Sequence, residues 1–319
     1  RMLREFRKRA IRTGQPTAFT MSRQMMMAAE YLGQAMGLLP DEEYEAALLA
    51  LCREVLEIEG EKPVLLPVGA KTLAMVSRSR DAFSAVAGLC AATPSQLALF
   101  NDKAAVSALA KTLGVPVPES FERQPEEPDE AFFSRVPLPC AVKPHCGESF
   151  GLTASQRYRI CRTKDELRAA FHHFKALTNE DPIVQEYLPG AAYGCSVLAK
   201  DGAVYRSLCH RRVREYPVSG GPSSCCESVS LSDLLAFSEA LVQKTGFTGP
   251  AMFEFKCAAD GSPRLLEVTP RVWGTFPLTR AAKTDFAYSW FCLAANLPLP
   301  EEVPAQHVKM AYYPADFAA

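Results

Sequence analysis

Glu254 and Glu267 are two residues whose types and spacing suggest chemistry. They lie in AMFEFKCAADGSPRLLEVTPR (251–271), where two alternating apolar runs flank Asp260-Gly261, a strong short-range hairpin signal. A turn centred between Asp260 and Gly261 sets Glu254 opposite Glu267, with Thr269 next on the same face. Facing carboxylates, with Cβ atoms about 5 Å apart, destabilise a sheet unless something neutralises them, and a divalent cation would do so. The competing reading is two solvated acids on an exposed sheet face. Lys143 closes a short strand before a loop holding Gly147 and Gly151 (HCGESFGL). Backbone N–H groups of such a loop can approach an anion while the lysine supplies a point charge, an arrangement suited to a phosphate. The spacing matches neither the P-loop nor the dinucleotide fingerprint, so a plain turn beside a surface lysine also fits. His210, Arg212 and Arg214 alternate along another strand and should share a face, either as a concentration of positive charge or as a solvated edge.

These residues need elements to hold them. Spacing predicts helices over Met25–Leu39, Asp41–Glu57, Ala70–Arg78, Lys103–Leu113 (started by Asn101-Asp102), Thr163–Leu177 and Ser230–Lys244. Thr163 with Glu166 forms a capping-box pattern. Pro63–Val68 reads as a buried strand of a parallel sheet. Ala141–Lys143, Pro182–Leu188, Cys195–Ala199 and Ala203–Cys209 read as further strands, the last two around Asp201-Gly202. Met25–Met27 fit core filling. His172-His173 fits a helix surface, and Trp273 fits either the substrate side of a site or core packing.

The 319 residues, 48% of them hydrophobic, suffice for a large core and suggest about two domains. Lys and Arg number 35 against 36 Asp and Glu, and a net charge of -1 gives no general attraction to nucleic acid or anionic membrane. A small-molecule partner is expected. Eleven cysteines without a C-x-x-C pair fit free thiols in a reducing compartment. With neither a membrane-length apolar run nor a signal peptide, the cytoplasm is expected. The chain opens at Arg1, inside a helical pattern and without an initiator Met, so it is expected to be incomplete there.

In order, the segments PVLLPVGAKTL (63–73), NDKAAVSALAKTLGVPVPES (101–120), AVKPHCGESFGL (141–152), PIVQEYLPGAAYG (182–194), HRRVREYPVSGGPSS (210–224), GPAMFEFK (249–256) and LLEVTPRVWGT (265–275) resemble the ATP-grasp ligases. Among those they resemble the carbamoyl-phosphate-synthase-like predicted carboxylate-amine ligases, over about Pro63 to Leu293. The resemblance implies an α/β and α+β fold: two α+β subdomains sandwiching ATP, preceded by a partial N-terminal α/β domain. Expected boundaries are 1–98 for that domain and 99–319 for the ATP-grasp domain, with 99–184 as the lid and 185–319 as the hinge and metal-binding part. Lys103 and Lys143 then look like nucleotide-phosphate lysines, and Gly147, Glu148, Ser149, Phe150 and Gly151 like the mobile loop over the triphosphate. Gln185, Glu186, Tyr187 and Leu188 look like the adenine-reading hinge. Tyr193 stands where many relatives carry a ribose-binding acid. Glu254, Glu267 and Thr269 look like ligands of Mg2+ or Mn2+. Arg271, Lys143, His210 and Arg212 look catalytic, Arg271 as the group steadying the transferred phosphoryl.

One departure stands out: the family usually reads Glu-x-Asn-Pro-Arg where this chain has Glu267-Val268-Thr269-Pro270-Arg271. Thr offers a shorter hydroxyl instead of an amide carbonyl, either an adapted ligand or a weakened second metal site. The implied activity joins a small carboxylate to an amine, such as an amino acid or peptide, through an acyl phosphate with ADP release. Neither nucleic acid nor membrane takes part, and a homodimer is compatible with it. The alternatives are an ATP-binding protein with lost or regulatory activity and a carboxylate- or bicarbonate-phosphorylating relative.

Overall fold

The computed structural model describes residues 40–145, 152, 156–216, 221–313 and 315–317. The expected helix at Met25–Leu39, with Met25–Met27, and the loop Gly147–Gly151 lie outside them.

The chain divides into two compact units, Arg1–Pro63 and Val64–Ala319. In the first, α1 (Asp41–Glu59) opens with Asp41, Glu42 and Glu43 against the positive end of the helix dipole and stops at Gly60, where φ is 74°.

The second unit begins with β1 (Val64–Leu65), α2 (Ala70–Arg78), α3 (Arg80–Val86) and β2 (Gly88–Leu89). β1 pairs with β2 in parallel. The strand expected over Pro63–Val68 is thus reduced to two residues, because Pro63 and Pro67 donate no ladder hydrogen bond. Next come α4 (Pro94–Asn101), α5 (Lys103–Thr112), β3 (Ser120–Phe121), α6 (Asp129–Arg135), β4 (Cys140–Lys143), β5 (Arg159–Cys161), α7 (Lys164–Thr178) and β6 (Ile183–Glu186). The remainder is β7 (Ala192–Lys200), β8 (Ala203–Glu215), β9 (Ser223–Val229), α8 (Ser232–Thr245), β10 (Gly249–Cys257), β11 (Pro263–Thr269), α9 (Pro277–Ala281), α10 (Phe286–Ala295) and β12 (Lys309–Ala311).

A four-stranded sheet in the order β3-β6-β4-β5 buries Val142 and Val184 among Phe132, Phe133, Phe171 and Phe174 of α6 and α7. Thr163 and Glu166 form the expected capping box at the start of α7. A six-stranded sheet, β11-β10-β7-β8-β9-β12, carries a core on each face. Cys195, Val197, Phe253, Phe255 and Val268 pack with Phe100 of α4, Val106 of α5 and Leu241 of α8. Leu208, Cys226 and Met252 pack with Trp273, Phe286 and Trp290. Alternation along the strands thus assigns each residue to one of two distinct environments.

Leu73, Ala91, Ala92 and Leu97 share the first of those cores with the strands. Trp273 packs edge-on against Phe276 and Phe286, at 5.2 and 5.9 Å between ring centroids, so its place is the core. His172 and His173 are on the surface as expected, and the ten described cysteines are free thiols. No helix among the described residues is long and apolar enough to cross a membrane.

Candidate functional site

Glu254 and Glu267 are cross-strand partners. The route to that pairing differs from the expected one. Gly261 N–H bonds to Ala258 O and Ala258 N–H to Ser262 O, so the loop has three residues, with Gly261 at φ 83°. Glycine takes that left-handed conformation without a steric penalty. This turn pairs Phe255 with Leu265, one residue out of the expected register. An extra residue between Glu254 and Phe255 on the opposing strand then restores the pairing of Glu254 with Glu267.

Basic side chains reach this pair from three elements. Arg212 of β8 donates to Glu254 Oε2, and its other terminal nitrogen lies 3.3 Å from Glu215 Oε1. Lys103, the first residue of α5, places Nζ 3.1 Å from Glu267 Oε2. Asp102 fixes that helix start by accepting from the N–H groups of Ala104 and Ala105. Leu265 N–H bonds to Pro116 O and ties the hairpin to the chain leaving α5. Lys143, at the end of β4, is 8% exposed. Burial, and then Lys103, push its ammonium down to about 8, against the pull of Glu267 and Glu254. Burial raises Glu254, reinforced by Glu267 and Glu215 and opposed by Arg212. Burial also works to raise Glu267, but Lys103 and Lys143 outweigh it and hold that carboxyl below its ordinary range.

His210 shares this face but is buried, not a solvated cation. Its Nε2 is 3.2 Å from Thr275 Oγ1, and burial followed by Arg212 lowers its pKa to about 3. Its ring occupies the space above Gly194, its cross-strand partner, where a Cβ would overlap the imidazole. Arg214 departs from the expected common face. Arg212 pairs with Cys226 and Arg214 with Cys225, so the intervening Val213 is an extra residue that turns Arg214 to the other side. There its Nε meets Asp316 Oδ1 at 2.8 Å.

Tyr193 pairs with Phe255 and Arg211, on the opposite face from Glu254, and packs on the core of the six-stranded sheet. It does not share the carboxylates' face. Of the expected hinge, Gln185 and Leu188 are buried, and Glu186 accepts from Glu119 N–H at 3.3 Å. Lys256 Nζ lies 5.7 Å from the centre of the Tyr187 ring. Thr269 follows Glu267 on the same face, opposite Met252. Arg271 is half-buried just past β11, and its Nη1 donates to Val272 O at 3.1 Å.

Glu215, Lys256 and Tyr158 belong to the neighbourhood although sequence reasoning missed them. Glu215 and Lys256 line an open cleft of about 320 Å3 beside Arg212, together with Gly190 and Ala192. Burial raises the Tyr158 phenol, with Glu215, Tyr187 and Glu254 adding to the rise. Glu215 ends the basic strand, a signal open to reading; Tyr158 carries none.

The described residues contain no group of three or more His, Cys, Asp or Glu able to hold a metal. Two facing carboxylates and a hydroxyl do suit a hard cation that takes its remaining ligands from a bound anion, the usual manner of Mg2+ with phosphates. Lys103, Lys143 and Arg212 suit the anion.

Comparison with known proteins bears on the fold that carries these residues. Residues 178–313 match the family described as ATP-grasp in the biosynthetic pathway with Ter operon. No curated protein sequence matches. Among solved structures, the chain resembles the biotin carboxylase domain of Hydrogenobacter thermophilus 2-oxoglutarate carboxylase, solved with MgADP, ADP and bicarbonate. The TM-score is 0.65 and the identity 16%, over 84% of this chain and 61% of that one. Biotin carboxylase from Campylobacter jejuni gives 0.66 and 15%, over 84% of this chain and 62% of its own. N5-carboxyaminoimidazole ribonucleotide synthetase from Thermus thermophilus gives 0.53 and 20%, over 68% and 58%. The chain therefore spans about three fifths of the length of these proteins.

Proposed function

The chain has the ATP-grasp fold, and from that premise we propose that it is an ATP- and Mg2+-dependent ligase joining a small carboxylate to an amine with release of ADP. The observation that carries this reading is the facing pair Glu254 and Glu267, flanked by Lys103, Lys143 and Arg212. Two acids with cations drawn up to them from β8, α5 and β4 suit a nucleotide triphosphate together with its metal.

Glu254 and Glu267 would hold Mg2+ or Mn2+, with Thr269 beside them. When bound, the metal neutralises charge on the terminal phosphates. Lys103 and Lys143 face the transferred phosphate. A triphosphate beside Lys143 stabilises its protonated form and offsets the burial that depresses it. Arg271, just past the hairpin, steadies the moving phosphoryl group. Glu186, Tyr187 and Leu188 would present backbone groups to the base.

A carboxylate oxygen attacks the γ-phosphorus and ADP departs, leaving an acyl phosphate. The amine nitrogen attacks the acyl carbon, phosphate leaves, and the amine loses a proton. The side chains act by position and charge, with no covalent adduct to the protein. Neutral His210, 3.2 Å from Thr275 Oγ1, lies buried on the same face and adds no charge to the site.

The test is incubation with ATP, Mg2+ and pools of organic and amino acids, with hydroxylamine as a trap. ADP release with hydroxamate formation is expected. ADP without hydroxamate favours a different phosphoryl acceptor, and ATP binding without turnover favours a regulatory binding protein. Absence of ATP binding refutes the proposal.

A further inference from the structure

Each carboxylate of the facing pair already carries a cation of the protein. Glu254 accepts from Arg212, and Glu267 Oε2 lies 3.1 Å from Lys103 Nζ. A divalent ion arriving alone would share both carboxylates with like charges, and around Glu254, which is shielded from water, that repulsion is weakly screened. Arg212 and Glu254 are only 14% and 15% exposed in their side chains, so water compensates little. Arg212 also has a second acid within reach, Glu215 Oε1 at 3.3 Å. The planar guanidinium can release one carboxylate while keeping the other.

We propose that these ion pairs are a lock that makes divalent-cation binding conditional on the nucleotide: the phosphates draw Lys103 and Arg212 away, Glu215 retains Arg212, and Glu254 and Glu267 become free for the metal. This rests on the nucleotide and metal reading above and adds a regulation of that site. Glu215 is then a positioning residue, acting on the metal only through Arg212. Linkage requires reciprocity: the factor by which nucleotide tightens metal binding equals the factor by which metal tightens nucleotide binding.

Mn2+ serves as the probe, titrated into the whole chain without nucleotide while its free paramagnetic resonance signal is followed. Weak binding is expected for the wild type. Arg212→Met and Lys103→Met should each bind Mn2+ about tenfold tighter or more, within the usual range of coupling between sites. Arg212→Lys, which keeps the charge, should stay close to wild type. Should Arg212→Met fail to fold, Lys103→Met carries the same test, because Lys103 lies at a helix start beside a carboxylate that is 36% exposed. ADP affinity is measured in parallel with chelator and with Mn2+.

Wild-type Mn2+ binding as tight without nucleotide as with it overturns the lock, as does an unchanged affinity in both methionine variants. In either case the nucleotide reading stands if ADP still binds. Failure of ADP to bind the wild type in the presence of Mn2+ removes that reading and the lock with it.

Discussion

Replacing Gly194 with alanine tests whether the sheet is built around the imidazole of His210. The added methyl would stand 2.8 Å from His210 Nε2 and nearer still to the ring carbon beside it. His210 is 1% exposed and sits in the middle of a sheet, flanked by Gly194 and Ser228 on the neighbouring strands, so the ring has little room to retreat. Overpacking of this kind costs about 1–3 kcal/mol. For a unit of this size each kcal/mol lowers the melting temperature by roughly 2–4 °C, so Gly194→Ala should melt about 2–12 °C below wild type. The partner variant, His210→Ala, leaves a cavity and loses the bond to Thr275, and is also destabilising. In the double variant the methyl enters vacated space, so its loss of stability should fall clearly short of the sum of the two singles, by about 1 kcal/mol or more. Urea denaturation of all four proteins at one pH measures the cycle. Additivity within about 0.3–0.5 kcal/mol would show that Gly194 does not accommodate His210, and would refute the packing argument.

Glu267→Gln should abolish most Mg2+-dependent ADP release, while Thr269→Asn should retain or raise it if Thr269 is an adapted ligand; unchanged activity in Glu267→Gln would sink the metal reading. Lys143 has its folded pKa depressed from 10.5 to about 8. Between those values the unfolded chain binds more protons than the folded one, so stability rises with pH across that window, by about 3 kcal/mol in all; below about 8 the penalty is fully present. Lys143→Met should flatten that rise in nucleotide-free urea titrations from pH 7 to 10. His210, held down at about 3, costs stability as pH falls below its unfolded value near 6.5, and His210→Gln should blunt the acid arm of the same curve. Thr163→Ala removes the capping box of α7 and should cost about 1 kcal/mol in thermal melts, with no change in the affinity for ADP.

What was legible in the sequence follows the range over which each physical signal acts. Capping chemistry is local, and Thr163 with Glu166 and Asp102 before α5 both cap as read. Parity along a strand reaches further but fails at any inserted residue. One extra residue at Val213 sent Arg214 to the other face, where it meets Asp316. In the hairpin the same kind of error occurred twice and cancelled. The three-residue turn shifted the register by one, and a bulge beside Glu254 shifted it back. Bulges leave no dependable mark on composition, so facing residues inferred from a turn are secure only when the intervening pairs are known. Tyr193 shows the opposite case. Strict alternation from Glu254 through its partner Gly194 places the residue before Gly194 on the far face, a conclusion available once β7 is known to lie beside β10. That neighbour relation is a long-range fact, set by topology, and no local spacing encodes it. The same holds for Arg212 and Lys103, which reach the two carboxylates from elements distant in the chain. A charge at either position changes the affinity of Glu254 or Glu267 for any cation, so the site is defined by how these elements meet more than by the hairpin that carries the two carboxylates.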